Sequence, residues 1–184
     1  MLYPTYSFPT AKGTLQLTCL YECEPNNGRM LYEVKLSLDE ADLTQQYFDG
    51  WNYINTALDR YILISHDKKW IYIPKEGDHF LINADTLEKT ALPPLELSAT
   101  SFIGNAFIGD FLLVMGSEQM ISKNLHTGST AVLERPDAHT YFREVQIHDE
   151  HAITILLNNG VKDTVSLNTL QLIHKNLNNW GEMF

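Results

Sequence analysis

Leu125-His126-Thr127-Gly128 has two counterparts in the chain: Ala84-Asp85-Thr86-Leu87, with its threonine 41 residues earlier, and Leu167-Asn168-Thr169-Leu170, with its threonine 42 residues later. Upstream of each lies an apolar segment opened by an acidic turn. These segments are Asp59-Arg60-Tyr61-Ile62-Leu63-Ile64, Asp110-Phe111-Leu112-Leu113-Val114 and Asp149-Glu150-His151-Ala152-Ile153-Thr154-Ile155. A further short apolar stretch precedes each acidic turn: Tyr53-Ile54, Phe102-Ile103 and Val145-Gln146-Ile147. Nearer the N-terminus, Leu15, Leu17, Cys19, Tyr21 and Cys23 alternate with Gln16, Thr18, Leu20 and Glu22, the period of a half-buried strand. Pro25-Asn26-Asn27-Gly28 supplies turn chemistry, and Met30, Tyr32, Val34, Leu36 and Leu38 resume the alternation, which predicts a hairpin. Leu36-Ser37-Leu38-Asp39-Glu40 then stands where Val165-Ser166-Leu167-Asn168-Thr169 stands later, so the hairpin reads as a divergent fourth copy.

A period of 40–45 residues carrying about four short strands is the signature of propeller blades, each of which needs a neighbour to bury its faces. The stretch from Asp110 to Leu133, read as strand, Gly116-Ser117-Glu118 turn, strand, His126-Thr127-Gly128 turn, strand, resembles a blade of the WD-repeat and quinoprotein-like propellers. Val145 to Ile173 is similar, with Asn158-Asn159-Gly160 as the middle turn. The resemblance spans roughly residues 50–175 and departs from the WD pattern in lacking its Trp-Asp and Gly-His pairs. It implies an all-β fold of about four blade-like repeats, near residues 12–46, 51–92, 100–133 and 141–175, in a small or incomplete propeller forming one domain over residues 1–184. An irregular β-sandwich is the other arrangement these strands permit. One short helix is expected over residues 39–48, because Ser37-Leu38-Asp39-Glu40 has capping-box spacing and Asp49-Gly50 ends the stretch.

With 184 residues, 44% of them hydrophobic and 20% charged, the chain has the composition of a globular protein rather than a disordered or collagen-like one. Its longest apolar runs, such as Phe111–Met115, fall far short of the roughly 20 residues of a membrane-spanning helix. Met1-Leu2-Tyr3-Pro4-Thr5 shows neither a basic start nor an apolar core of a signal peptide, and a cytoplasmic location is expected. Cys19 and Cys23 would sit about 13 Å apart in a regular strand. That exceeds the roughly 7 Å limit for a disulfide, so both are expected as buried thiols.

Motifs for chemistry are sparse. His148-Asp149-Glu150-His151 carries two histidines flanking two carboxylates, but it aligns with a strand–strand connection and lacks a third ligand, so neither metal nor cofactor is expected. Asp78-His79 and His66-Asp67 are isolated pairs. The chain has no nucleophile elbow, no His-Glu-x-x-His and no glycine-rich phosphate loop. Around Asp49-Gly50, the group Tyr47, Phe48, Trp51 and Tyr53 has the composition of a binding hot spot, but reads more simply as core between the first and second sheets.

Charge is the more informative pattern. The net charge is −10, which disfavours nucleic acid and anionic membranes as partners and suits a basic protein. In a four-stranded blade the first and third connections emerge on one side. That side collects Asp39, Glu40, Asp42, Asp59, Asp85, Glu88, Asp110, Asp149 and Glu150 against Arg60 and Lys89. The other side sets Glu22, Glu24, Asp67, Glu76, Asp78, Glu118, Glu134, Asp137 and Asp163 against Arg29, Lys68, Lys69, Lys75, Arg135 and Lys162.

The expectation is therefore a non-catalytic, protein-binding monomer. Asp39, Glu40, Asp59, Asp85, Asp110, Asp149 and Glu150 would contact a basic partner in a 1:1 complex. By size, acidity and lack of catalytic motifs the chain resembles small acidic immunity proteins. That resemblance implies a bacterial inhibitor of a toxic enzyme such as a nuclease, with carboxylates standing in for substrate phosphates. A scaffold subunit using the blades as a docking platform is the alternative, and a hydrolase of sugars or phosphoesters a third.

Overall fold

The alternation of residues 15–38 is realised as two long paired strands in a computed structural model, which describes residues 3–24, 28, 30–58, 61–75, 78–95 and 102–176. The chain divides into two compact units, residues 1–100 and 101–184. In the first unit, β1 (Thr5–Thr10), β2 (Gly13–Cys23), β3 (Leu31–Leu38) and β4 (Ala41–Asp42) follow one another in an antiparallel sheet, and β5 (Tyr53–Asn55) adds to the far half of β3. Its second sheet runs β6 (Leu63–Ile64), β7 (Trp70–Ile73), β8 (Phe80–Asn83) and β9 (Lys89–Ala91). In the second unit, β10 (Phe102–Ile108), β11 (Phe111–Gly116), β12 (Gln119–Asn124) and β13 (Thr130–Glu134) form one meander. There β14 (Phe142–Ile147), β15 (Ala152–Leu157), β16 (Lys162–Ser166) and β17 (Leu172–Asn176) form the other. The protein is thus all-β, four successive antiparallel meanders with the strand order of propeller blades and one short helix.

The recurring threonine is explained by the turn between the third and fourth strands. In two of the turns the Oδ1 of an asparagine three residues before the threonine accepts two backbone N–H groups. Asn83 takes those of Asp85 and Thr86 at 2.9 and 3.0 Å, and Asn124 those of His126 and Thr127 at 3.0 and 2.8 Å. Ser166 Oγ takes the N–H of Asn168 at 3.3 Å in the third. Each threonine Oγ1 then accepts from the N–H two residues on, that of Glu88, Ser129 or Gln171, at 3.2–3.3 Å. The residue between them is left-handed: Leu87 at φ 63°, Gly128 at 74° and Leu170 at 52°. Its N–H returns to the carbonyl of Asn83, Asn124 or Ser166, closing the turn.

Three expectations are corrected. Tyr53-Ile54 does not open the second repeat: it pairs with β3, whose outer half is long enough to offer a free edge, and the second sheet starts only at Leu63. The helix α1 spans Thr44–Phe48 alone, because Ser37 stays in the β3 ladder opposite Gln16 and Asp42 rather than capping a helix. Asp39, left-handed at φ 49°, and Glu40 instead form a tight turn into β4, and Asp42 Oδ1 accepts the N–H of Thr44 at 2.9 Å. This turn closes at Leu38↔Ala41, so the first sheet carries a two-residue loop where the other three have the threonine turn.

In the first unit the core joins α1 to the second sheet. Tyr47 and Phe48 are fully buried against Phe80, with ring centroids 6.4 and 5.6 Å away. Lys89 donates to the Tyr47 carbonyl at 2.7 Å, an unpaired acceptor of the last helical turn, and lies 4.7 Å over the Phe80 ring. Lys75, also buried, pairs with Asp78 at 3.1 Å. In the second unit, Phe111, Leu113, Met115 and Met120 of one sheet pack with Phe142, Ile153, Ile155 and Val165 of the other. All six residues of β11 are buried, as its unbroken apolar run requires.

His79 has no exposed surface. Its Nε2 lies 2.7 Å from the Pro93 carbonyl, which only accepts, so Nε2 carries the proton and the Tyr72 hydroxyl donates to Nδ1 at 3.0 Å. Burial holds the imidazole pKa below its usual value, against the opposing pull of the Pro93 carbonyl and Asp78. The unfolded chain therefore binds the extra proton first: this stabilisation is full above about pH 6.5 and lost as pH falls toward the folded value. Urea-unfolding free energies are expected to fall between pH 7 and pH 5, and His79→Gln to flatten that slope; an unchanged slope would remove His79 as its source.

Candidate partner-binding surface

The first and third connections of each sheet lie side by side because one backbone hydrogen bond ties them. Asp39 N donates to Thr14 O, Ala84 N to Lys69 O, Leu125 N to Asp110 O and Leu167 N to His151 O, at 2.7–2.8 Å. Six of the seven expected contact residues are exposed in these connections: Asp39, Glu40, Asp85, Asp110, Asp149 and Glu150. Asp59, like Arg60, lies outside the described residues.

The six carboxylates are not equivalent. Asp39 Oδ1 accepts the N–H of Thr14 at 2.9 Å, and its carboxylate sits where a β-carbon on Gly13 would be, 2.4 Å from Oδ2. Gly13 is itself at φ +137°, so a side chain is excluded there twice over. Asp149 Oδ1 accepts from His151 N at 2.7 Å and Ala152 N at 2.9 Å, and these two bonds hold its pKa below the usual carboxylate value. Both aspartates build their own turns. By contrast, no Lys or Arg ion pair involves Glu40, Asp85, Asp110 or Glu150 among the described residues. Glu150 Oε1 lies 3.5 Å from His151 Nε2.

Two of these carboxylates come from loops in contact. A β-carbon on Gly109 would lie 3.1 Å from Cβ of Glu150, so the loops bearing Asp110 and Glu150 pack together in the second unit. The basic Lys123 turns back to the Gly128 carbonyl.

In the first unit the charge pattern differs from the expected one. The first connection of its second sheet is Ser65–Lys69, so Asp67, Lys68 and Lys69 share a side with Asp85 and Glu88 rather than facing away from them. Lys12 joins that side through Thr86 O, 2.8 Å from its Nζ. The acidic bias expected there is thereby diluted. It persists in the Asp110–Asp149–Glu150 loops.

His148-Asp149-Glu150-His151 is the connection the repeat register indicates. Its His148 Nε2 engages Thr154 Oγ1 at 2.6 Å, and no group of three metal-ligating side chains occurs among the described residues. A hollow of about 620 Å³ in the first unit is bordered by Lys12, Tyr47, Thr86, Leu87 and Lys89. Three of its donors are engaged: Tyr47 Oη with Leu87 O, Lys12 with Thr86 O and Lys89 with Tyr47 O.

The aromatic group around Asp49-Gly50 is divided. Tyr47 and Phe48 are core, whereas Trp51 is 52% exposed and packs on half-buried Tyr53, centroids 4.8 Å apart. Sequence reasoning missed that Tyr53 and Tyr21 lie on either side of Glu33. The missing signal was strand register, which a bulge between Cys19 and Tyr21 resets.

These features define a class: an all-β protein of blade-like meanders whose tied loops carry carboxylates with no Lys or Arg ion pair among the described residues. No family model and no curated protein matches the chain. Among solved structures it is similar to BamB from Moraxella catarrhalis, at 13% identity over 96% of this chain and 51% of that one, with a TM-score of 0.44. It is similar also to the N-terminal domain of Nup159, at 13% identity, 97% and 43% coverage and a TM-score of 0.42. Kluyveromyces lactis Hsv2 matches at 10% identity, 92% and 58% coverage and a TM-score of 0.45. The chain spans about half the length of these structures.

Gly13→Ala is expected to cost about 2 kcal/mol of stability in chemical denaturation, and Asp39→Ala and Asp149→Ala to lower the melting temperature. Glu40→Lys, Asp85→Lys, Asp110→Lys and Glu150→Lys should leave it within about 2 °C. Equal loss in both sets would mean that the second set is structural too.

Proposed function

We propose that the protein is a non-catalytic binding protein for a basic protein partner, engaged through the loops that carry Asp110 and Glu150. The observation that carries this reading is their juxtaposition: two exposed carboxylates on packed loops, with no Lys or Arg ion pair among the described residues. Loops whose backbone is already tied need little further ordering when a partner arrives, and a negative field speeds encounter with a basic surface. The narrower form of the proposal is inhibition of a toxic enzyme, a nuclease in particular, by a bacterial cytoplasmic immunity protein. Its support is the net charge of −10 together with two exposed carboxylates on packed loops, groups that share the charge sign of substrate phosphates.

Tagged protein drawn from a lysate of its own host is expected to retain one basic protein at 1:1 stoichiometry, toxic when produced alone. The double substitution Asp110→Lys/Glu150→Lys, which spares Asp149, should then slow association about tenfold and flatten its dependence on salt. Association at an unchanged rate would remove these loops from the interface. Retention of several partners would favour a docking platform instead.

A further inference from the structure

The outer face of the first sheet carries a row of side chains that neither the core nor the carboxylate loops use. Beyond the bulge in β2, Tyr21 pairs across to Glu33 on β3, and Glu33 pairs across to Tyr53 on β5, so the three project from adjacent strands on one face. The Tyr21 hydroxyl donates to the Glu33 carboxylate, which together with lesser contributions raises the phenol pKa to about 12. On the other flank the negative charge of Glu33 also raises the pKa of Tyr53. Trp51 extends the row, its ring tilted 51° to that of Tyr53.

Large rings this exposed add little to folding: Trp51 is 52% and Tyr21 46% accessible. Glu33 has no ion pair with a described basic residue. The nearest base along its own face of β3, Lys35, pairs instead with Asp42 at 3.6 Å. A carboxylate that accepts one phenolic proton keeps lone pairs for further donors. A carboxylate with aromatic side chains on either side is complementary to a cation that is both flat and forked.

We propose that this row, Tyr21, Glu33, Tyr53 and Trp51, is a docking site for an arginine side chain of a partner protein, its guanidinium stacked on the rings and hydrogen-bonded to Glu33. Arginine is preferred to lysine because a planar guanidinium stacks on aromatic faces while donating in a fork, which a compact and more strongly hydrated ammonium does not. The site is separate from the Asp110 and Glu150 loops and does not depend on the partner's being a toxin.

The test is a titration of N-acetyl-arginine amide into the whole ¹⁵N-labelled chain, followed at the Trp51 indole N–H, which Trp51→Phe identifies. A saturable shift in the millimolar range is expected, absent with the uncharged N-acetyl-citrulline amide and weaker with N-acetyl-lysine amide. Glu33→Gln should weaken binding about fivefold with an unchanged melting curve, and Trp51→Ala should do the same when followed at the tyrosine rings. A non-saturating response, an equal response to citrulline amide, tighter binding of lysine amide, or full affinity in Glu33→Gln would each overturn the assignment. The citrulline comparison uses the wild-type chain, so it decides the charge requirement even if Glu33→Gln fails to fold.

Discussion

One backbone hydrogen bond, repeated four times, organises the surface of this protein. Where the third strand of a sheet ends, the next N–H reaches across to the carbonyl just before the second strand, as from Leu125 to Asp110 and from Leu167 to His151. The bond prolongs the ladder by one step and brings the first and third connections of the sheet together. The carboxylates available to a partner sit on those connections; Asp110 and Glu150 belong to the first connections of two different sheets and are brought together by the packing of the Gly109 loop against Glu150. A loop whose backbone is fixed in this way needs little further ordering on binding.

The same backbone economy sorts the acidic residues. Asp39 and Asp149 are occupied by N–H groups of their own turns, whereas Asp110 and Glu150 are left to solvent. Net charge treats these residues alike, but an aspartate that already holds backbone donors has a different capacity for a partner from one that does not. The Tyr21–Glu33–Tyr53 row makes the complementary point. There a single carboxylate gains its character from flanking rings rather than from other carboxylates.

Much of the fold was legible because its repeat is local chemistry. An asparagine or serine, a threonine three residues on and a left-handed residue after it make a turn with few tertiary requirements, and its spacing gives the meander period. What the sequence concealed was partnership. Tyr53-Ile54-Asn55 looks like the first strand of a new sheet, and nothing in its own pattern says that the free edge of β3 will take it. The helix is shorter than its sequence suggests for a related reason: the alternation through Leu38 continues the strand, and the polar residues after it suit a tight turn as well as a cap. The site was half legible. The acidic turns could be listed, but the contact of the Gly109 loop with Glu150 and the register beyond the β2 bulge are tertiary facts.

The meander order also bears on how the chain acquires its structure. Apart from β5, which returns to β3, every strand among the described residues pairs with an immediate neighbour in sequence. Loop-closure entropy is therefore small at each step, and a sheet can form as soon as its last strand has left the ribosome. For a chain so rich in strands, this shortens the time during which unpaired edges such as that of β11, apolar along its whole length, are open to other chains.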